Sequence, residues 1–185
     1  MGLPLHSRLR KKLKNLLNSL LFFLFPTRSS HDPIPASGIR RILIIRINYR
    51  IGNILFTTPL LRALERRFPD ATIDYLVGAA YTVPLLKGSG NVDQVYDFPR
   101  KLLKHPLELY RYIRRLRSER YDLVINLNTG SASDRAATFL ARSTFKLGFD
   151  APGNWSPSTH AVIPPPGAVH EALEPLHLMK AFGNA

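Results

Sequence analysis

Cysteine is absent from the 185 residues, which excludes a disulfide framework, a thiolate metal site and a cysteine nucleophile, and agrees with a reducing compartment. The six histidines fall at no zinc-type spacing. Acidic residues are scarce: 13 Asp and Glu stand against 26 Lys and Arg, a formal net charge of +13. Such an excess calls for an anionic partner, and phosphorylated lipid, nucleic acid or a phosphate-bearing substrate each fits. No helix-turn-helix, zinc finger or aromatic RNA-binding signature is visible, which weighs against nucleic acid. No apolar run is long enough to cross a bilayer. Residues 16–25 fall far short of the ~20 needed, and Asn18 and Ser19 interrupt them. What remains, 45% hydrophobic and 21% charged residues, is the balance of a globular protein with one sizeable core and an appendage.

The appendage comes first. Residues 1–30 carry Arg8, Arg10, Lys11, Lys12, Lys14 and Arg28 and no acid. Leu9, Leu13, Leu16, Leu17, Leu20, Leu21 and Leu24 recur at steps of three and four, a stripe on one helical face opposite the cations, and Phe22, Phe23 and Phe25 widen it. Residues 1–26 therefore read as a basic amphipathic helix lying on a membrane surface. A signal peptide and a core helix are the rival readings, although Phe25-Pro26-Thr27-Arg28 lacks a small-residue cleavage pattern. Residues 27–39, rich in Pro, Ser and Gly, read as a linker.

From residue 40 the pattern changes to alternating strands and helices. Ile42 to Ile47 is a β-branched and leucine run suited to a strand buried on both faces. Further strands are expected at 72–77, 94–96, 123–127 and 145–148. Helices are expected at 54–68 (with a kink or true start at Pro59), 83–86, 102–117, 134–141 and 169–182. Residues 40–185 thus predict an α/β domain, a Rossmann-like doubly wound parallel sheet.

In such sheets ligands bind beyond the carboxyl ends of the strands. The loop from Arg46 to Asn53 lies there: Gly52 suits a tight strand-to-helix turn, and Arg46 and Arg50 bring cations to a helix start. An ordinary turn with solvated arginines is the competing reading. One glycine is too few for a dinucleotide fingerprint. Arg100, Lys101 and Lys104 follow the third strand and form a second cluster fit for phosphate or carboxylate groups, or a solvated loop. Asn128 and Gly130 end the fourth strand with small groups suited to sugar hydroxyls or to capping. Asp134 reads as capping or charging a helix start, His170 as a packed core or interdomain histidine, and Arg111, Arg114, Arg115 and Arg117 as a solvated helix face.

Arg40-Arg41-Ile42-Leu43-Ile44-Ile45-Arg46 followed by Ile51-Gly52-Asn53-Ile54-Leu55-Phe56-Thr57-Thr58-Pro59-Leu60-Leu61-Arg62-Ala63-Leu64 resembles the opening of glycosyltransferase family 9, the lipopolysaccharide heptosyltransferase family. Phe68-Pro69-Asp70-Ala71, Tyr121 to Leu127, Leu147-Gly148-Phe149-Asp150 and Val169-His170-Glu171 extend the resemblance in family order from about residue 39 onward. It implies the N-terminal, acceptor-binding half of a GT-B glycosyltransferase, with the donor-binding domain absent and the chain inactive alone. The implied reaction is inverting transfer of heptose, or a related sugar, from ADP-heptose or another nucleotide sugar to lipopolysaccharide core. No cofactor or metal is implied, and the donor belongs mainly to the second domain.

The implied partners are a lipid-linked anionic saccharide and an anionic membrane surface; the implied location is the cytoplasmic, inner face of the bacterial inner membrane. Arg46, Arg50, Gly52, Arg100, Lys101, Lys104, Asn128 and Gly130 become acceptor-binding residues. The family's usual base is an aspartate at the position of Asn53, and an amide cannot take that proton. Three readings follow: another carboxylate serves, Asp150 first; Asn53 only positions the acceptor; or transfer is lost. A catalytically inactive membrane-associated remnant is accordingly the alternative function, and a basic nucleic-acid-binding domain a lesser one.

Overall fold

The first strand, β1 (Arg41–Arg46), is buried along Ile42–Ile45 because both of its faces are covered, which is why it reads as a continuous apolar run. In this computed structural model the described residues are 19–20, 22–25, 29–47, 50–88, 92–98, 102, 104–151, 153, 155–167 and 169–183. Strands β2 (Thr72–Val77), β3 (Gln94–Asp97), β4 (Tyr121–Asn126), β5 (Ser143–Phe149) and β6 (His160–Val162) complete one sheet in the order β3-β2-β1-β4-β5-β6. Every pairing is parallel. The order reverses between β1 and β4, so the crevice where a doubly wound sheet takes its ligand lies at the carboxyl ends of those two strands.

Among the described residues, α1 (Ile51–Leu55), α2 (Thr58–Arg67), α3 (Val83–Lys87), α4 (Pro106–Ser118) and α5 (Ala132–Leu140) connect the strands. One apolar cluster joins α1, α2 and the C-terminal segment to one sheet face through Ile42, Ile44, Tyr75 and Leu178, and a second joins α4 and α5 to the other through Leu43, Ile45, Val124 and Leu116. The single helix expected over 54–68 is two, because Pro59 occupies the first turn of α2, where a missing N–H costs nothing. Pro106 starts α4 later than residue 102 for the same reason. The helix expected over 169–182 is a 3-10 helix over Glu174–Phe182.

Strand β6 was not expected from the sequence. Of the 27–39 segment, read as a linker, the described residues 29–39 pack on the domain: Ser30 bridges His160 in parallel beside β6, Ile34 and Ile39 are buried, and the Ile34 N–H donates to the Ala181 carbonyl at 2.7 Å. Most of the leucine stripe, residues 1–18, lies outside the described residues, of which Ser19, Leu20 and residues 22–24 are helical. Among the described residues no helix is long and apolar enough to cross a membrane.

Candidate functional site

The carboxyl ends of β1, β4 and β5 bring several of the sequence's candidates to one edge of the sheet. Arg46 closes β1, with a buried Nε that has no hydrogen-bond partner among the described residues. Arg50 is exposed and stands at the N-cap of α1. Asn53 is half-buried within α1. Gly52 departs from expectation. It is a helical residue without positive φ, and a Cβ there would meet nothing within 4 Å. What the glycine leaves is open space.

Across the crevice, the Asn128 N–H donates to the Asn126 Oδ1 at 2.9 Å, and the Ser131 N–H closes a turn on the Asn128 carbonyl at 3.0 Å. Gly130 is exposed in that turn. Ser131 caps α5, and its Oγ donates to the Asp134 Oδ1 at 2.6 Å. The other Asp134 oxygen accepts the Ile47 N–H at 3.2 Å, so one fully buried carboxylate links the β4–α5 turn to the end of β1. Burial pushes the Asp134 carboxyl up to about 6 against the opposing pull of Ser131, the Ile47 N–H and Arg46. On the other face Tyr75 hydrogen-bonds Thr57 at 3.3 Å, and burial raises its hydroxyl above the usual phenol range.

Asp150 follows β5, with its N–H on the Val162 carbonyl at 2.9 Å. Strand β4 separates β5 from β1, which sets the Asp150 backbone about 10 Å from the end of β1 at ordinary strand spacing. Lys104 is exposed just before α4, while Arg100 and Lys101 lie outside the described residues. His170 is an exposed residue ahead of the 3-10 helix, not a core one. Its ring meets Phe56 edge-on at 5.6 Å, and its Nδ1 accepts the Ala172 N–H at 3.2 Å. This juxtaposition with the segment after α1 joins residues more than a hundred positions apart, and no local pattern announces it. Asp134 was legible as an acid at a helix start, but its reach to Ile47 depends on the sheet order.

A cavity of about 720 Å³ opens at the opposite, amino-terminal edge, lined by Arg41, Asp74, Tyr96 and Glu119 among others. Its polar groups satisfy one another: Arg41 reaches Glu119 at 2.7 Å and Asp74 at 3.8 Å, and the Tyr121 hydroxyl donates to Asp74 at 2.8 Å. That network holds β1, β2 and β4 in register and belongs to the scaffold. Among the described residues no three His, Cys, Asp or Glu side chains are grouped to hold a metal.

A parallel sheet of this order with helices on both faces and a cation-bearing switch point is a Rossmann-like domain of the kind found at the N-terminus of GT-B glycosyltransferases. No family model matches the chain. Two curated relatives do: lipopolysaccharide heptosyltransferase 3 of Escherichia coli, 33% identical over 79 residues, and its counterpart in Escherichia coli strain K12, 37% identical over 82 residues. Each match covers 41% of this chain and 23% of the relative, so the chain spans under a quarter of the length of the curated relatives it matches. Among solved structures, the E. coli heptosyltransferase WaaC with ADP aligns with a TM-score of 0.64 at 20% identity, over 78% of this chain and 48% of that one. The family 9 glycosyltransferase of Veillonella parvula DSM 2008 aligns with a TM-score of 0.67 at 16% identity, over 84% of this chain and 43% of that one. The sequence matches point to the lipopolysaccharide heptosyltransferases, and the solved structures, one of family 9 among them, share this chain's fold.

Proposed function

We propose that this chain is the acceptor side of an inverting glycosyltransferase that moves heptose, or a related sugar, from a nucleotide sugar to lipopolysaccharide core at a membrane surface. The observation that carries the reading is the switch point itself. Arg46, Arg50 and Asn53 stand on one side of the crevice and Asn128 and Gly130 on the other. Guanidinium groups bind phosphate and carboxylate oxygens in pairs, and side-chain amides suit sugar hydroxyls, so the two sides match an anionic saccharide. Arg46 has a buried, unpartnered Nε, a donor whose desolvation is offset when an anion arrives.

In this reading the acceptor hydroxyl attacks the anomeric carbon of the donor, the sugar–phosphate bond breaks, and the nucleotide leaves with the electron pair. The hydroxyl proton must go to a base. The Asn53 amide orients the hydroxyl but cannot take the proton. Asp150 is the carboxylate proposed for that step, which requires its side chain to approach the hydroxyl directly or through one water. Donor binding falls to a second domain of the kind that the longer relatives have room for. The 185 residues alone should therefore turn over no donor. The basic leader keeps the domain on the anionic, cytoplasmic face of the inner membrane, where the lipid-linked acceptor lies.

A second reading, an inactive membrane-associated remnant, is favoured by one observation, the amide at Asn53. Titration of the full chain with deacylated lipopolysaccharide core oligosaccharide tests the first. Binding should weaken with salt and fall at least ~10-fold in the Arg46→Ala/Arg50→Ala double variant, in line with the loss of two charge-assisted contacts. Equal affinity in the variant removes the acceptor site from this loop. Binding together with no transfer in a two-domain context would favour the remnant.

A further inference from the structure

The stub of the leader is stitched to the domain by aromatic contacts that the proposed transfer does not require. The Trp155 Nε1 donates to the Phe25 carbonyl at 2.9 Å. The Phe25 ring lies 4.9 Å from Phe139, near the C-terminal end of α5, and Phe139 lies 5.5 Å from Trp155. Immediately downstream, the Ser29 Oγ donates to the Ser158 carbonyl at 2.9 Å and Ser30 joins the edge of β6. The leader therefore leaves the domain at a fixed place, held from both sides by the 150–160 loop.

The surface at that place is apolar and open. Phe23 is 82% exposed and Leu24 54%, while Phe139, at 36%, continues the patch onto α5. Its border is cationic. The Lys146 Nζ donates to the Phe139 carbonyl at 3.0 Å and sits 5.8 Å from its ring, Arg117 reaches the Leu140 carbonyl at 3.4 Å, and Arg142 is exposed. None of the three has an acidic partner among the described residues. Upstream come five further cations, Arg8 to Lys14, and no acid. Exposed aromatic rings bordered by unneutralised cations are what an anionic bilayer surface accommodates: rings enter the headgroup boundary while Lys and Arg meet phosphates.

We propose that Trp155 and Phe139 clamp the leader to α5 so that the Phe22–Phe25 stretch, Phe139 and the Arg117–Arg142–Lys146 border form one bilayer-docking face, which fixes how the domain sits on the membrane. The bilayer as partner rests on the membrane-surface reading above; the clamp does not. A free tether would bring the domain to the lipid in any orientation. A clamped one presents the same side each time, and the crevice keeps one height above the headgroups.

Trp155 is the sole tryptophan of the sequence, so its fluorescence reports the clamp and the docking face separately. In buffer the full chain should emit as a buried indole. Deleting residues 1–28, with folding checked by circular dichroism, should shift the emission to the red and raise acrylamide quenching at least ~3-fold, since Trp155 is 3% exposed with Phe25 in place. Unchanged quenching overturns the clamp. With phosphatidylglycerol vesicles carrying brominated acyl chains, Trp155 of the full chain should be quenched. The Phe23→Glu variant should partition at least ~10-fold less while its acrylamide quenching in buffer stays that of the parent. If the leader is needed for sedimentation with vesicles but brominated lipid leaves Trp155 unquenched, the leader is a plain tether and the docking face is wrong. If full and leaderless chains sediment equally, the membrane reading itself fails and the docking face with it.

Discussion

The Asp134 carboxylate accepts the Ile47 N–H across 3.2 Å, and through that bond the head of α5 is tied to the end of β1. Asp134 is fully buried and its carboxyl is pushed up to about 6. A raised carboxyl binds its proton more tightly folded than unfolded. This group's contribution is thus fully present below the unfolded value near 4 and is lost as pH rises through about 6. The loss is on the order of 2–3 kcal/mol. The Asp134→Asn variant keeps an acceptor for Ile47 but does not titrate, so its stability relative to the parent should improve between pH 4 and 6 and then level off. Urea unfolding at several pH values checks this, and parallel pH profiles for the two proteins would contradict it. Asp134→Ala, which leaves the Ile47 N–H unpaired and the cap weakened, should cost about 1–3 kcal/mol at neutral pH.

Gly148 pairs with Asn126 at the crevice, and a Cβ there would lie 2.8 Å from the Ser158 Oγ and 2.9 Å from the Thr129 Cγ2. Both neighbours are buried, and the Thr129 carbonyl is held by Arg135 at 2.8 Å. Gly148→Ala should therefore lower stability by about 1–3 kcal/mol through overpacking. A denaturation midpoint matching the parent would mean that the 155–159 segment does not close on β5.

Gly52→Ala is the opposite case. Gly52 is helical and its would-be Cβ meets nothing within 4 Å. The change should leave stability unchanged or raise it by up to ~1 kcal/mol, the helix-propensity difference. If the acceptor approaches α1 through that open space, oligosaccharide binding should nevertheless fall. Stability and affinity moving in opposite directions is the expected outcome. Unchanged affinity would remove Gly52 from the acceptor surface.

Strand β1 was legible as a continuous apolar run buried along Ile42–Ile45, and β2 to β5 were legible through their alternation with helices, which gave the fold class. Strand β6 was not, because three residues amid proline and serine carry no period and depend on β5 for their hydrogen bonds. Ile34 in the 27–39 segment is a lone apolar residue, and only the packed domain reveals that it is buried. A 3.6-residue period cannot separate an α-helix from the 3-10 helix over Glu174–Phe182. At the crevice, residue types were readable and partners were not: the Asp134–Ile47 bond and the His170–Phe56 contact both follow from topology.

Asn53 stands where the resemblance to family 9 implies an aspartate, and the consequence of the amide can be isolated. In α1, half-buried beside the crevice, its amide can hold an acceptor hydroxyl but has no basic site. Let this domain be joined to the donor half of a curated relative, so that both substrates are positioned together. With Asp150 replaced by asparagine, Asn53→Asp should then raise transfer by the ~10²–10⁴-fold typical of a placed general base. Arg46 and Arg50 on the same loop keep the introduced carboxylate ionised at neutral pH, which is the form that accepts the proton. Asn53→Ala should lower the parent rate or leave it unchanged. If Asp150 already serves, Asp150→Asn should abolish the parent rate while the Asn53→Asp background retains activity. The three position-53 proteins are compared at saturating donor, with circular dichroism as the folding control. Equal rates in all three would take Asn53 out of the reaction and leave the chain a relative of the heptosyltransferases in fold alone.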